Sequence, residues 1–149
     1  MTVLIRRAQL MDLKAIVDLA VESVSNNPLP LVVDRAAMLE TAAELIKKGQ
    51  HFAYVAEEDG EVVGALGAAT QAGFWHKRMA CSVLMFYSRA AGAGIALMRE
   101  FARWVKARPA IKLAIYTLEP GMDPRIGKFL RRLGFTHESP TYAYVRGAA

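Results

Sequence analysis

The stretch Leu84-Met85-Phe86-Tyr87-Ser88-Arg89-Ala90-Ala91-Gly92-Ala93-Gly94-Ile95 constrains this chain more than any other part of it. An apolar, β-prone run passes into a loop of small residues, and the loop passes straight into a segment of helical periodicity. The first N–H groups of a helix lack intrahelical partners and sit at the positive end of its dipole, so this junction suits a phosphate. Only small residues let a backbone approach a diphosphate closely. Gly92 and Gly94 allow that approach, Ala91 and Ala93 do not obstruct it, and Arg89 adds a fixed charge at the rim. A plain helix start also accounts for two glycines, so the order of the surrounding elements has to decide.

That order reads as follows. Val3 to Arg6 is a short strand. Met11 to Ser25 is a helix whose apolar residues recur at helical spacing, with Asp12 as a cap or dipole partner. A second helix runs from about Asp34, its N-cap, to Lys48. His51 to Glu57 and Val62 to Thr70 form a hairpin across the turn Glu58-Asp59-Gly60-Glu61, and the Gly/Ala-rich second strand invites a bulge or close backbone approach. Gln71 to Arg78 is an irregular connector. Met79 to Ser88 is expected as a strand buried on both faces. The helix Gly92 to Ala107 is expected to bury Ile95, Met98, Phe101, Ala102 and Val105. Ile111 to Leu118 reads as another buried strand and Pro124 to Leu133 as a short helix stopped by Gly134. Phe135 to Glu138 and Tyr142 to Arg146 read as a closing strand pair. The expected fold is one α/β (α+β layered) domain over residues 1–149, a mixed but mostly antiparallel sheet flanked by helices.

Composition narrows the function classes. With 54% hydrophobic and 22% charged residues, the chain is not of the disordered class. No apolar run approaches the roughly 18 residues of a membrane span, and the N-terminus lacks the order of a secretion signal, so a cytoplasmic protein is expected. Cys81, the single cysteine, excludes an intrachain disulfide and reads more simply as a small buried thiol than as a nucleophile. The three histidines show no metal-ligand spacing, and no metal is expected. The net charge of +5 is unevenly spread: residues 1–70 carry 6 basic and 10 acidic side chains, residues 71–149 carry 13 and 4. The C-terminal half therefore attracts anions. Arg99, Arg103 and Lys106 on one helix and Arg125, Lys128, Arg131 and Arg132 on the next read as solvated faces rather than a nucleic-acid surface, since no aromatic platform is interleaved with them.

The loop resembles the Gln/Arg-x-x-Gly-x-Gly/Ala signature of the GNAT acetyltransferases, with Arg89, Gly92 and Gly94 on its fixed positions. The likeness extends along nearly the whole chain: Ile5-Arg6-Arg7-Ala8 with Asp12, Val55-Ala56-Glu57 through Gly60-Glu61-Val62-Val63-Gly64, and Leu130-Arg131-Arg132-Leu133-Gly134-Phe135 resemble the family's opening, its second and third strands, and its ending. This resemblance implies acetyl-CoA as cosubstrate, with pantetheine held by the backbone of Leu84, Met85 and Phe86 and the pyrophosphate by the amides of Ala90 through Ile95. It also implies that Asp123, Phe129 and Arg132 lie near the CoA arm. A second, looser likeness, in Phe74-Trp75-His76-Lys77, is to GNAT-type proteins encoded by tailed bacteriophages.

The chain departs from the family pattern at three places. The Tyr that usually protonates the departing thiolate is Leu130, the usual Asn is Asp123, and the Pro often found three residues before the Arg is Phe86. Glu119 is the first candidate for the base that takes the amine proton, against a solvated loop carboxylate. Tyr116 and Tyr87 are candidate proton donors, against half-buried strand aromatics. His76 is a further base candidate, against an exposed loop histidine, and Phe74 and Trp75 either line the acceptor pocket or cover a sheet edge. The expected activity is direct N-acetyl transfer from acetyl-CoA to an amine of a small molecule or protein, by a monomer or homodimer without nucleic-acid or membrane partners. The alternative is an acyl-CoA-binding or interaction protein of the same fold with little or no catalysis, which Leu130 favours.

Overall fold

A computed structural model describes residues 2–25, 27, 31–73, 79–118 and 123–146. Among them run β1 (Val3–Arg7), a single 3-10 turn (Leu10–Asp12), α1 (Leu13–Ser25), α2 (Arg35–Lys47), β2 (Phe52–Glu58), β3 (Glu61–Ala72), β4 (Met79–Ser88), α3 (Ala91–Lys106), β5 (Ile111–Ile115) and α4 (Arg125–Leu133). The strands form one sheet in the order β1-β2-β3-β4-β5. The first three pairings are antiparallel and β4–β5 is parallel. The expected mixed, mostly antiparallel sheet is present. The Asp59-Gly60 turn has positive φ at both residues, 52° and 82°, as a tight two-residue hairpin requires.

Two cores lie on opposite faces of the sheet. On one, Phe52, Leu66, Ala68 and Cys81 pack against Leu97, Phe101 and Trp104 of α3 and Leu130 of α4. The Phe52 ring meets Phe101 and Trp104 edge to face at centroid distances of 5.1 and 5.4 Å, an arrangement worth about 0.5–1.5 kcal/mol per pair beyond area burial. On the other face, Ala8, Ala53, Val55 and Ala65 meet Leu19 of α1 and Leu45 of α2. Small side chains on the strands let the helices sit close: a Cβ on Gly64 would lie 3.2 Å from Leu97 of α3, and one on Gly67 would lie 3.1 Å from Leu45 of α2. Cys81 is fully buried, and burial pushes its thiol up, away from reactivity.

Four expectations need correction. The buried stripe of α3 runs through Ala93, Gly94, Leu97, Met98, Phe101 and Trp104, while Ile95 is 42% exposed. The close fit of Ala93 and Gly94 against the sheet rotates the helix away from the face that Ile95 suggested. Of the strand Met79 to Ser88, only Cys81 is fully buried, because the neighbouring strand accompanies it over a short distance only. That neighbour, β5, ends at Ile115 and lies at the sheet edge with Leu113 and Ile115 half exposed, so the expected burial of Ile111 to Leu118 fails. No strand forms at Phe135 to Glu138 or Tyr142 to Arg146. The short apolar–polar alternation there finds no sheet partner, and Tyr142 and Tyr144 project outward.

The N-terminal corner is held by an ion pair between the half-buried Arg6 and the buried Asp12. Asp12 accepts from both Arg6 Nη1 (2.8 Å) and Nη2 (3.0 Å), and from the Gln9 amide (2.8 Å). The Arg6 guanidinium beside it holds its carboxyl below the ordinary carboxylate range. A depressed carboxylate pKa contributes stability above the unfolded value of about 3.9, and that contribution is lost as pH falls through the folded value. Asp12→Ala is therefore expected to destabilise the protein by about 2 kcal/mol at neutral pH, and to flatten the acid limb of the stability-versus-pH curve, both measured by urea unfolding.

Candidate functional site

The sheet opens between β4 and β5. Ladder partners join Met79 through Ser82 to Ile111 through Ile115, and none joins them further along. From Val83 onward the edge of β4 that faced its parallel neighbour has no ladder partner, while its other edge stays paired to β3 up to Ser88. The register on β3 shifts at the same place: Met85 lies opposite Gly67 and Val83 opposite Ala68, so Leu84 stands out as a bulge, 55% exposed. Across the opening, the Phe86 and Tyr116 rings meet edge to face at 6.1 Å.

At the end of β4 the backbone groups are used selectively. The Arg89 amide donates to Val63 O (2.9 Å), a residue skipped in the β2–β3 register. The Ser88 hydroxyl donates to Ala90 O (2.6 Å) and accepts from the Ala90 amide (3.2 Å). The Gly94 amide closes the first helical bond onto Ala90 O (3.1 Å). That leaves the amides of Ala91, Gly92 and Ala93 as the first-turn donors of α3, whose N-cap, Ala90, offers no side-chain acceptor. The two glycines play different parts. A Cβ on Gly92 would meet nothing within 4 Å, whereas one on Gly94 would lie 3.3 Å from both Phe86 and Ser88. Gly92 thus opens the helix end to solvent and Gly94 packs the helix onto β4. The Ile95 side chain points outward.

The charge of Arg89 is shared. Its Nε meets Glu22 of α1 at 3.1 Å, and the same carboxylate accepts from Tyr87. The Tyr87 and Arg89 donors hold Glu22 below the usual carboxylate range, and the bond to Glu22 pushes the Tyr87 phenol up. Nothing in the sequence singled out Glu22 or Ser88: Glu22 lies on a helix distant in the chain, and the hydroxyl of Ser88 matters only because the strand ends there.

A cavity of about 630 Å³ lies between α1, α2, the open end of β4 and the start of α4, within the roughly 300–1,000 Å³ of small-molecule sites. Leu84, Met85, Phe86, Tyr87 and Tyr116 line it, and Asp123 stands at its α4 end. Asp123 is in an ion pair with Arg125 (2.7 Å), which holds its carboxyl down. Phe129 lies beneath the Arg99 guanidinium, 5.6 Å from ring centroid to Cζ, and Arg132 is exposed. Leu130 is 7% exposed, inside the α3-side core. The structure thus gathers Tyr87, Tyr116, Asp123 and residues 84–86 around one opening, while Arg132 stays on the outer surface. Glu119, Phe74, Trp75, His76 and Lys77 lie outside the described residues. Other basic side chains are engaged on the surface, Arg103 with Glu100 and Arg131 with Glu138. Among the described residues no cluster of metal-binding side chains occurs, and no helix is long and apolar enough to cross a membrane.

A bulged strand, a sheet that splays at the bulge and a bare helix N-terminus beside it sit in a mixed α/β layered fold. The solved structures similar to this chain agree with that architecture. A predicted acetyltransferase with acetyl-CoA from Clostridium acetobutylicum matches with a TM-score of 0.74 at 12% identity, covering 97% of this chain and 96% of its own. Glucosamine-6-phosphate N-acetyltransferase from Arabidopsis thaliana matches with a TM-score of 0.72 at 14% identity, covering 98% and 99%. An aminoglycoside acetyltransferase from an uncultured soil metagenomic sample, in complex with sisomicin, matches with a TM-score of 0.67 at 14% identity, covering 99% and 97%. No family model and no curated protein sequence matches the chain. The chain has the fold of the GNAT acetyltransferases. The bacteriophage likeness rests on residues outside the described ones, and these neighbours lend it no support.

The two glycines separate in a stability measurement. Gly94→Leu should cost about 1–3 kcal/mol by overpacking against Phe86 and Ser88. Gly92→Ala should leave stability unchanged or raise it by up to about 1 kcal/mol. Urea unfolding followed by circular dichroism checks both, and equal losses would mean that Gly92 is also packed.

Proposed function

We propose that this chain is an acetyl-CoA-dependent N-acetyltransferase. The reading is carried by one observation: beyond Ser82 the edge of β4 loses its ladder partner, and that edge leads directly to the bare amides of Ala91, Gly92 and Ala93. The pyrophosphate of acetyl-CoA fits against those amides, where the open space over Gly92 admits it and the helix dipole favours its charge. The pantetheine arm, itself an amide chain, fits the unpaired edge at Leu84, Met85 and Phe86. Asp123, just before α4, and Phe129 of α4 are assigned beside the arm, and Arg132 to the outer part of the cofactor. Arg89, shared with Glu22, makes a smaller contribution than the backbone does.

In this arrangement the thioester lies by Phe86 and Tyr116, and the acceptor enters from the α1–α2 side of the cavity. The amine nitrogen attacks the thioester carbonyl carbon, a C–N bond forms and the C–S bond breaks. The amine gives up one proton and the CoA sulfur gains one. Tyr116 is assigned as the proton donor to sulfur from its place across the opening from Phe86, and the Tyr87 hydroxyl donates to Glu22. Glu119 is assigned as the base that receives the amine proton.

A second reading, an acyl-CoA-binding or interaction protein with little or no catalysis, is favoured by Leu130. The side chain at the family's tyrosine position is apolar and turned into the core. Binding of acetyl-CoA without CoA release across an amine panel would select it.

Two substitutions test the enzyme reading. Gly92→Asp places a carboxylate against the phosphates and should weaken acetyl-CoA by about 2 kcal/mol, roughly 30-fold, measured by ligand-dependent thermal shift. An affinity within a factor of two of the parent protein would remove the loop from the site. Tyr116→Phe should lower kcat by roughly 10²-fold or more while leaving acetyl-CoA affinity unchanged. An unchanged kcat would assign the proton to another group.

A further inference from the structure

The wall of the cavity formed by α1 and α2 is mostly hydrocarbon. Ile16, Ala20 and Val24 of α1 oppose Met38, Ala42 and Leu45 of α2, with Ser23, Asn27 and Thr41 as neutral polar groups between them. Among the described residues, the one ionised side chain on the lining is Asp123, and it is already paired with Arg125. Carboxylates elsewhere on α1 are also engaged: Asp18 with Lys14, and Glu22 with Arg89 and Tyr87. No lysine, arginine or histidine lines the cavity among the described residues. This distribution discriminates among amines. A polyamine or an aminoglycoside carries several ammonium groups, and those beyond the reacting one would meet no carboxylate on the α1 and α2 wall among its described residues. An amino sugar phosphate would bring a dianion to a wall that holds no cation among its described residues.

We infer that the acceptor of this site is a monoamine carried on an apolar, alkyl or aryl body. The inference rests on the acetyltransferase reading and names its substrate class. It also supplies a physical step that the reaction requires. Desolvation disfavours the charged form of an amine, so a lone ammonium entering this cavity from water tends to shed its proton to solvent at the mouth. The neutral nitrogen is the nucleophile. An apolar acceptor wall therefore performs part of the work that a strong base performs in a polar site. The balance is unchanged: primary amine and acetyl thioester give the N-acetyl amine and the free thiol.

The test uses the full chain and measures binding separately from turnover. Phenethylamine and hexylamine are compared with spermidine, kanamycin and glucosamine-6-phosphate, by saturation-transfer NMR with and without CoA and by acetyl-CoA-dependent thiol release. The two monoamines should bind at least about tenfold more tightly than the three polar amines and show the higher kcat/KM. Met38→Glu should weaken phenethylamine about tenfold and improve spermidine, whereas Met38→Leu should change neither. Circular dichroism on both variants establishes that the fold is kept. Spermidine, kanamycin or glucosamine-6-phosphate binding as well as the monoamines would overturn the inference, as would absence of phenethylamine binding to the CoA-loaded protein. Failure of acetyl-CoA to stabilise the chain, with phenethylamine still bound and still sensitive to Met38→Glu, would overturn the acetyltransferase reading and leave the cavity's preference standing.

Discussion

A strand that loses its neighbour partway along must satisfy its backbone in some other way. In this protein β4 is that strand. It is paired on both edges through Ser82 and on one edge beyond it, and every part of the candidate site refers to the change. The bulge at Leu84 occurs where the second partner departs, the Phe86 and Tyr116 rings meet across the gap, and the strand delivers the chain to the N-terminus of α3. An unpaired edge of this kind is a liability when exposed along its length. Facing a cavity, it becomes a row of donors and acceptors for an extended amide-bearing ligand.

The α3 terminus was legible from sequence because its requirements are local. Small residues at 90–94 and a helical pattern beginning there are visible without any knowledge of the fold, and the structure starts the helix at Ala91. The Asp59-Gly60 hairpin and the Asp34 cap were legible for the same reason; Asp34 accepts from the Ala37 amide at 3.1 Å. The division of labour between Gly92 and Gly94 was not legible. It depends on which side of the helix meets Phe86 and Ser88, a fact of packing rather than of pattern. Ile95 illustrates the same limit: at the start of an apolar stripe it looks buried, yet Ala93 and Gly94 hold the contact with the sheet and turn it outward.

The failures in the C-terminal third share a cause. Runs such as Ile111 to Leu118 and Tyr142 to Arg146 have the composition of buried or paired strands, but burial of a strand is conferred by what lies on either side. At the edge of the sheet, β5 has one partner for a few residues, and the segment after α4 has none. The triad of Glu22, Tyr87 and Arg89 was hidden for the opposite reason. Its members are ordinary residues for a helix and a strand, and only the packing of α1 over the end of β4 brings them together.

The proposed cofactor site, made of backbone amides and an unpaired strand edge, demands shape more than side-chain chemistry. It needs small residues at a few points, a bulge, and a helix aimed correctly, and many sequences meet those demands. This explains how a chain 12–14% identical to solved acetyltransferases superimposes on them with TM-scores of 0.67 to 0.74. In this chain α1 and α2 line the proposed acceptor wall mostly with hydrocarbon, and the α1 carboxylates Asp18 and Glu22 stand in ion pairs elsewhere. In the proposed function, the physical character of the acceptor is written in the two helices that the cofactor does not need.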